Sequence, residues 1–110
     1  MAIPKRGEIW WVRLDPTQGS EINKTRPCIV ISDDVINQLR RTVVVIPLSS
    51  APQPHPPLLV RINIEERPVV AVVDQIRAVS KDRLLSKMGN LSAGELDAIE
   101  QALLGVLGIS

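Results

Sequence analysis

Residues 42–48 read Thr-Val-Val-Val-Ile-Pro-Leu. From Val43 on, apolar side chains follow one another without the every-second-residue alternation of a half-buried strand. Most are β-branched, and their stiff side chains suit a pleated, packed surface. The run predicts a central strand covered on both faces. It is expected to stop at Pro47 and at the pair Ser49-Ser50, because proline cannot donate to a ladder.

On the N-terminal side, residues 26–31 (RPCIVI) form a second short strand. Proline suits the first residue of a strand and not its middle, so Arg26-Pro27 is the junction and Arg26 is fixed where a loop meets a strand. That loop, residues 17–25, holds Gly19, Asn23 and charges of both signs. It is about as long as a hairpin connection runs without a task, so it is expected to be mobile and functional. After the strand, Ser32 reads as a helix N-cap with Asp33 and Asp34 in the first turn, and a short helix reaches Leu39. Asp15-Pro16 closes a first strand, residues 8–14. Its alternation puts Trp10, Val12 and Leu14 on one face and Ile9, Trp11 and Arg13 on the other. One tryptophan then belongs to the core, and the other is left to cover a second surface.

On the C-terminal side, residues 51–57 (APQPHPP) contain four prolines in seven residues and read as a stiff connecting loop. A strand resumes over residues 58–64, with Leu58, Val60, Ile62 and Ile64 on one face. Residues 65–67 make a polar turn, and residues 68–73 and 74–79 two further strands. Ser80 caps a single helical turn over 81–85, which Gly89-Asn90 breaks. Ser92-Ala93-Gly94-Glu95 matches a capping box. It opens a helix to Leu107 with Leu96, Ile99, Leu103, Val106 and Leu107 at helical spacing, a stripe that should pack on the sheet. The expectation is one domain over residues 1–110, mainly β with a C-terminal helix (α+β), built on a strongly bent sheet or partly open barrel.

Composition narrows the chemistry. The chain has 110 residues, 45% of them hydrophobic, and neither Phe nor Tyr, so the core must be Val, Ile and Leu. A net charge of +1 gives no global basic field, and any nucleic-acid contact must come from a local groove. One cysteine excludes an internal disulfide and a multi-cysteine zinc site, and one histidine leaves few other ligands. No metal and no cofactor are expected. The start, MAIPKRGE, has no apolar signal region, and no run approaches membrane-spanning length. The expected location is cytoplasmic.

Several polar groups fall at strand ends: Glu21, Lys24 and Arg26 around the first loop, Ser49 and Ser50 after the central strand, and Gln75 beside Asp74. In a curled sheet such ends converge on one rim. Arginine binds phosphate bidentately and is always charged. A hydroxyl donates to a phosphate oxygen, and a carboxylate accepts a proton. Together these suit cleavage of an RNA phosphodiester by its own 2′-hydroxyl. Plainer roles stand beside this one. Arg26 can pair with Glu21, Ser49 can cap a strand end, and Gln75 can satisfy loop backbone. Cys28, in an apolar strand, reads as a buried inert thiol.

The motifs Arg6-Gly7-Glu8-Ile9-Trp10, Leu14-Asp15-Pro16, Gly19-Ser20-Glu21, Lys24-Thr25-Arg26-Pro27 and Val30-Ile31-Ser32 occur in order. They continue through Val45-Ile46-Pro47-Leu48-Ser49, Asp74-Gln75-Ile76-Arg77, Arg83-Leu84 and Gly89-Asn90-Leu91-Ser92. Nearly the whole chain thus resembles the MazF/PemK (Kid) family of toxins from toxin–antitoxin pairs. The resemblance implies a small SH3-like, partly open barrel of the MazF/PemK/CcdB type and a homodimer. It implies a metal-independent, sequence-specific endoribonuclease that cuts single-stranded RNA, chiefly mRNA, to 2′,3′-cyclic phosphate and 5′-hydroxyl ends. It also implies a cognate MazE-like antitoxin whose tail occupies the RNA site. Arg26 matches the catalytic arginine before proline, and Ser49 stands where the family usually has threonine. Glu21 becomes a candidate proton acceptor or RNA contact. Lys24, Thr25, Ser50 and Gln75 become candidate RNA contacts, and His55 is either a base-stacking group or exposed filler. The alternative on the same barrel is a non-catalytic CcdB-like toxin that poisons DNA gyrase. The Lys-Thr-Arg-Pro loop and the Ser49 hydroxyl favour the RNA cutter.

Overall fold

A computed structural model describes residues 3–50 and 59–109. The central strand is β3 (Thr42–Ser49), lying between β2 (Thr25–Val30) on one edge and two partners on the other. Its first half pairs with β6 (Arg77–Ser80), from Thr42↔Ser80 to Val45↔Arg77. Its end pairs with β5 (Arg67–Val72), at Leu48↔Ala71 and Ser49↔Val70. One strand thus serves two diverging neighbours, and the sheet curls. β3 does not stop at Pro47. That proline lies between the two partner segments, where the ladder on that edge is interrupted, so its missing N–H is tolerated.

The rest of the sheet extends from this strand. β1 (Glu8–Arg13) pairs with β2 and, on its far edge, with β7 (Leu84–Asn90). β4 (Leu59–Ile64) pairs with β5. Among the described residues seven strands run in the order β4-β5-β3-β2-β1-β7 with β6 beside β3, and each of these pairings is antiparallel. A short helix, α1 (Asp34–Leu39), follows β2, and α2 (Ala93–Val106) closes the chain.

The lack of alternation in β3 has a direct cause: both faces of the sheet are covered. Ile9, Ile29, Ile46 and Leu48 enter one core with Ile62, Ile64 and Ile99 of α2. Trp10, Val12, Cys28, Val30, Val43 and Val45 enter a second core with Val79 and Leu84. Adjacent residues of one strand therefore serve different cores. Burying each large aliphatic side chain contributes about 1.5–3 kcal/mol, so neither face of β3 tolerates a polar residue at mid-strand. Trp10 is buried and donates from Nε1 to Glu8 Oε1 at 3.0 Å, whereas Trp11, on the other face, is 38% exposed.

The capping box forms as expected. Ser92 Oγ accepts from the Glu95 N–H (3.1 Å), and Glu95 Oε1 accepts from the Ser92 N–H (2.9 Å). Glu95 Oε2 also accepts from the Asn63 N–H at 2.8 Å, which ties α2 to β4. Leu96, Ile99, Leu103 and Val106 pack on the first core, but Leu107 caps the helix and is largely exposed.

Several expectations are corrected. The cap of α1 is Asp33, whose carboxylate accepts from the Val35 N–H at 2.9 Å. Ser32 is buried instead, accepting from the Val44 N–H (3.0 Å) and donating to Asn37 Oδ1. Residues 74–79 are not one strand, because a 3₁₀ turn, Val73–Gln75, precedes β6. Ser80 does cap a turn, Lys81–Arg83, but the chain then extends into β7 where the sequence suggested a break. β7 is an edge strand with Leu85, Ser86 and Lys87 exposed, so it carries no apolar period to read.

A candidate nucleic-acid interface

The β2–β3 register decides which polar groups meet. Cys28 pairs with Pro47, Ile29 with Ile46 and Val30 with Val45. Carrying the same register two residues past its last pair brings Arg26 level with Ser49. Residues level across neighbouring strands face the same way. Arg26 and Ser49 thus share the face of Cys28, at the open end of the second core. Arg26 is half-buried and its Nε donates to the Asn23 carbonyl at 3.1 Å. Ser49 is half-buried at the last position of β3, opposite Val70. Ser50, just beyond, is exposed.

The loop between β1 and β2 folds over this end. At its neck the Leu14 N–H donates to the Lys24 carbonyl (2.9 Å), and the Lys24 N–H donates to Asp15 Oδ1 (3.0 Å). Lys24 takes a left-handed φ of +68° there, and Gly19 takes +59° at the tip. Arg83 Nη1 donates to the carbonyls of Arg13 and Asp15, which holds the neck from β7's side. Within the loop, Ile22 packs on the second core and donates its N–H to Gln75 Oε1 at 3.4 Å. The loop expected to be mobile is therefore tied down in several places.

Gln75 takes the plainer role weighed for it, satisfying loop backbone. Glu21 does not pair with Arg26. Its Oε1 accepts from the Gln18 N–H (3.1 Å), and its Oε2 lies 4.0 Å from Arg77 Nη1. Lys24 and Thr25 are exposed beside Arg26. His55, with the rest of 51–57, lies outside the described residues.

Cys28 is fully buried, with Sγ 3.7 Å from the Arg26 carbonyl oxygen. Burial pushes its thiol up to about 12, against the opposing pull of the Arg77 and Arg26 guanidiniums. This thiol is inert, as its strand setting suggested. Arg77 escaped the sequence reading because residues 74–79 looked like a continuous strand. Its position in the Asp74-Gln75-Ile76-Arg77 motif was the signal available.

The rim thus combines two guanidiniums, a hydroxyl, a carboxylate and a primary amide. Such a set can hold an anionic group and stabilise charge that grows on it. Among the described residues no group of three or more His, Cys, Asp or Glu side chains is placed to hold a metal ion. Glu8 plays no part at the rim. Burial would raise its pKa, but donors from Trp10 and Lys5 and the Lys87 ammonium at 3.0 Å hold it below the usual range.

Comparison with known proteins was made on sequence and on fold. A sequence model for the PemK-like, MazF-like toxin of type II toxin–antitoxin systems matches residues 5–107. Endoribonuclease MazF9 of Mycobacterium tuberculosis is 36% identical over 108 residues, covering 90% of this chain and 92% of that protein. A crystal structure of MazF from Deinococcus radiodurans superposes with a TM-score of 0.89 at 22% identity, covering 99% of this chain and 100% of the other. An endoribonuclease from a mycobacterial species, solved in complex with its cognate antitoxin, gives a TM-score of 0.80 at 22% identity over 100% and 98% of the two chains.

Proposed function

The chain belongs to the PemK-like, MazF-like family of toxins from type II toxin–antitoxin systems, and we propose that Arg26 and Ser49 carry the reaction of this endoribonuclease toxin. Its substrate is RNA, and a cognate antitoxin inhibits it. We take the RNA to be single-stranded mRNA, read in a sequence-specific way in the cytoplasm without a metal ion. The gyrase-poison reading is not favoured, since the similar proteins are named endoribonucleases.

The observation that carries the site assignment is the Cys28↔Pro47 register, which, carried two residues on, sets Arg26 level with Ser49. A 2′-hydroxyl attacks the adjacent phosphorus and gives its proton to a carboxylate, for which Glu21 is the candidate. Charge then builds on the non-bridging oxygens of a pentacoordinate phosphorus. Arg26 holds that charge, and the Ser49 hydroxyl donates to one of those oxygens. The bond from phosphorus to the 5′-oxygen breaks, and that oxygen takes a proton. Arginine gives up a proton reluctantly, so charge stabilisation is the main role of Arg26 and protonation of the leaving oxygen a secondary one. The products are a 2′,3′-cyclic phosphate and a 5′-hydroxyl. Lys24, Thr25 and Ser50 are exposed along the same rim and suit contacts to the strand; Gln75 is committed to the loop until that loop moves.

The test is cleavage of a long single-stranded RNA by wild type, Arg26→Ala and Ser49→Ala. Loss of about 10²-fold or more in rate for each, as for removal of one charge-stabilising donor, supports the assignment. Alanine variants that cut like wild type would move the reaction elsewhere.

A further inference from the structure

We propose that Arg77 is a second phosphate-binding group of the RNA site, whose place Glu21 fills until RNA arrives. The inference rests on the reading of this rim as the RNA site. Arg77 stands level with Val45 on β3, and Val45 stands level with Val30 on β2. Cys28 is the next residue on that face of β2, and Arg26 the one after. The two guanidiniums therefore stand on one face, on either side of Cys28, and both act on its thiol. They belong to different strands that the fold brings together through β3.

The hydrogen-bond state of Arg77 points the same way. Its Nη1 is buried, yet has no hydrogen-bond partner among the described residues. The nearest carboxylate oxygen, Glu21 Oε2, is 4.0 Å away, beyond hydrogen-bonding range. A buried charged donor without a hydrogen bond is costly and calls for an explanation. A phosphodiester supplies one: two non-bridging oxygens of the same charge sign as Glu21, able to approach to normal hydrogen-bond length. Glu21 can leave without the loop moving: its side chain is 49% exposed and, among the described residues, accepts one hydrogen bond, from the Gln18 N–H at 3.1 Å. Exchanging a carboxylate for a phosphate keeps the local charge balance, so Arg77 is never left uncompensated. Arg77 then contributes to holding the strand, while Arg26 and Ser49 act at the phosphorus that reacts.

The experiment measures binding of a 2′-O-methylated RNA, in which the nucleophile is blocked, copied from the mapped cleavage site. Wild type, Arg77→Met, Arg77→Lys and Glu21→Gln are compared across a salt series. Loss of one charge-assisted contact predicts about tenfold weaker binding for Arg77→Met. The slope of log affinity against log salt should fall by about 0.7, the value for one phosphate contact on a single strand. Arg77→Lys should keep the slope, and Glu21→Gln should bind several-fold tighter, because the occupying charge is gone. If Arg77→Met melts early, Arg77→Gln is measured in its place. Unchanged affinity and slope in the neutral variants, with wild type still cleaving unmodified RNA, would overturn the role of Arg77 and leave the ribonuclease reading intact. A wild type that neither binds nor cleaves would remove both.

Discussion

The chemistry proposed for this protein turns on which side chains lie level across β2 and β3. Arg26 was legible in the sequence as the charged residue where a loop enters a strand, although β2 starts at Thr25 and Pro27 is its third residue, level with Trp11, not its first. Ser49 was legible because the apolar run ends there. What could not be read was the pairing, since register depends on how the strands stack and not on either strand alone. Arg77 was hidden for the same reason: its meaning comes from standing level with Val45 of β3, the neighbouring strand. Ser49 is also the point where the family resemblance implies a threonine. Restoring the methyl in Ser49→Thr should hold the hydroxyl more firmly and raise the cleavage rate several-fold. A rate below wild type would show that the site is shaped around serine. Cys28 gives a prediction of the opposite kind. With its thiol pushed up to about 12 and no exposed surface, it should resist iodoacetamide at pH 8 in the folded protein and react after unfolding in guanidinium. Rapid labelling of the native form would contradict the packing of the second core.

Elements differ in how openly the sequence displays them. The capping box and stripe of α2 announce the helix, and the aliphatic run announces β3. β7 announces nothing, because an edge strand with one solvent face and few large apolar residues has no period to detect. Ile99 is fully buried where α2 meets the sheet. Ile99→Ala should cost about 2–5 kcal/mol in denaturant unfolding, the range for an aliphatic truncation that leaves a cavity. A loss under about 1 kcal/mol would mean that α2 docks loosely. Two carboxylates report on the element ends. At Glu8 and at Glu95 burial pushes the pKa up, but hydrogen bonds outweigh it and hold both below their ordinary 4.5. The unfolded chain then binds protons more readily than the folded one. The stability these groups contribute is fully present above pH 4.5 and is lost as pH falls through their folded values. The melting temperature should drop on acidification below about pH 5, and Glu8→Gln should flatten that dependence. An equally steep drop in the variant would assign the acid sensitivity elsewhere.

At the scale of the molecule, two cores on opposite faces of one curled sheet make the rim. The first core, with α2, fixes the sheet from behind; the second opens toward Arg26, Arg77 and Ser49, and the loop carrying Glu21 closes over it. A bent, mostly β architecture was readable from short strands in succession, but the separation into two cores was not, because β3, the strand both cores share, is apolar at every position between its ends. The outer edge of the sheet leaves Trp11 and Leu85 exposed on neighbouring strands. We expect a homodimer, so light scattering should give twice the 12.1 kDa of one chain. A mass of 12.1 kDa at micromolar concentration would instead describe a working monomer. The most direct test of the whole account is end-group analysis of a single-stranded RNA incubated with the protein in excess EDTA. The account predicts fragments bearing a 2′,3′-cyclic phosphate and a 5′-hydroxyl. Cleavage that disappears in EDTA, or fragments with 5′-phosphate ends, would contradict it.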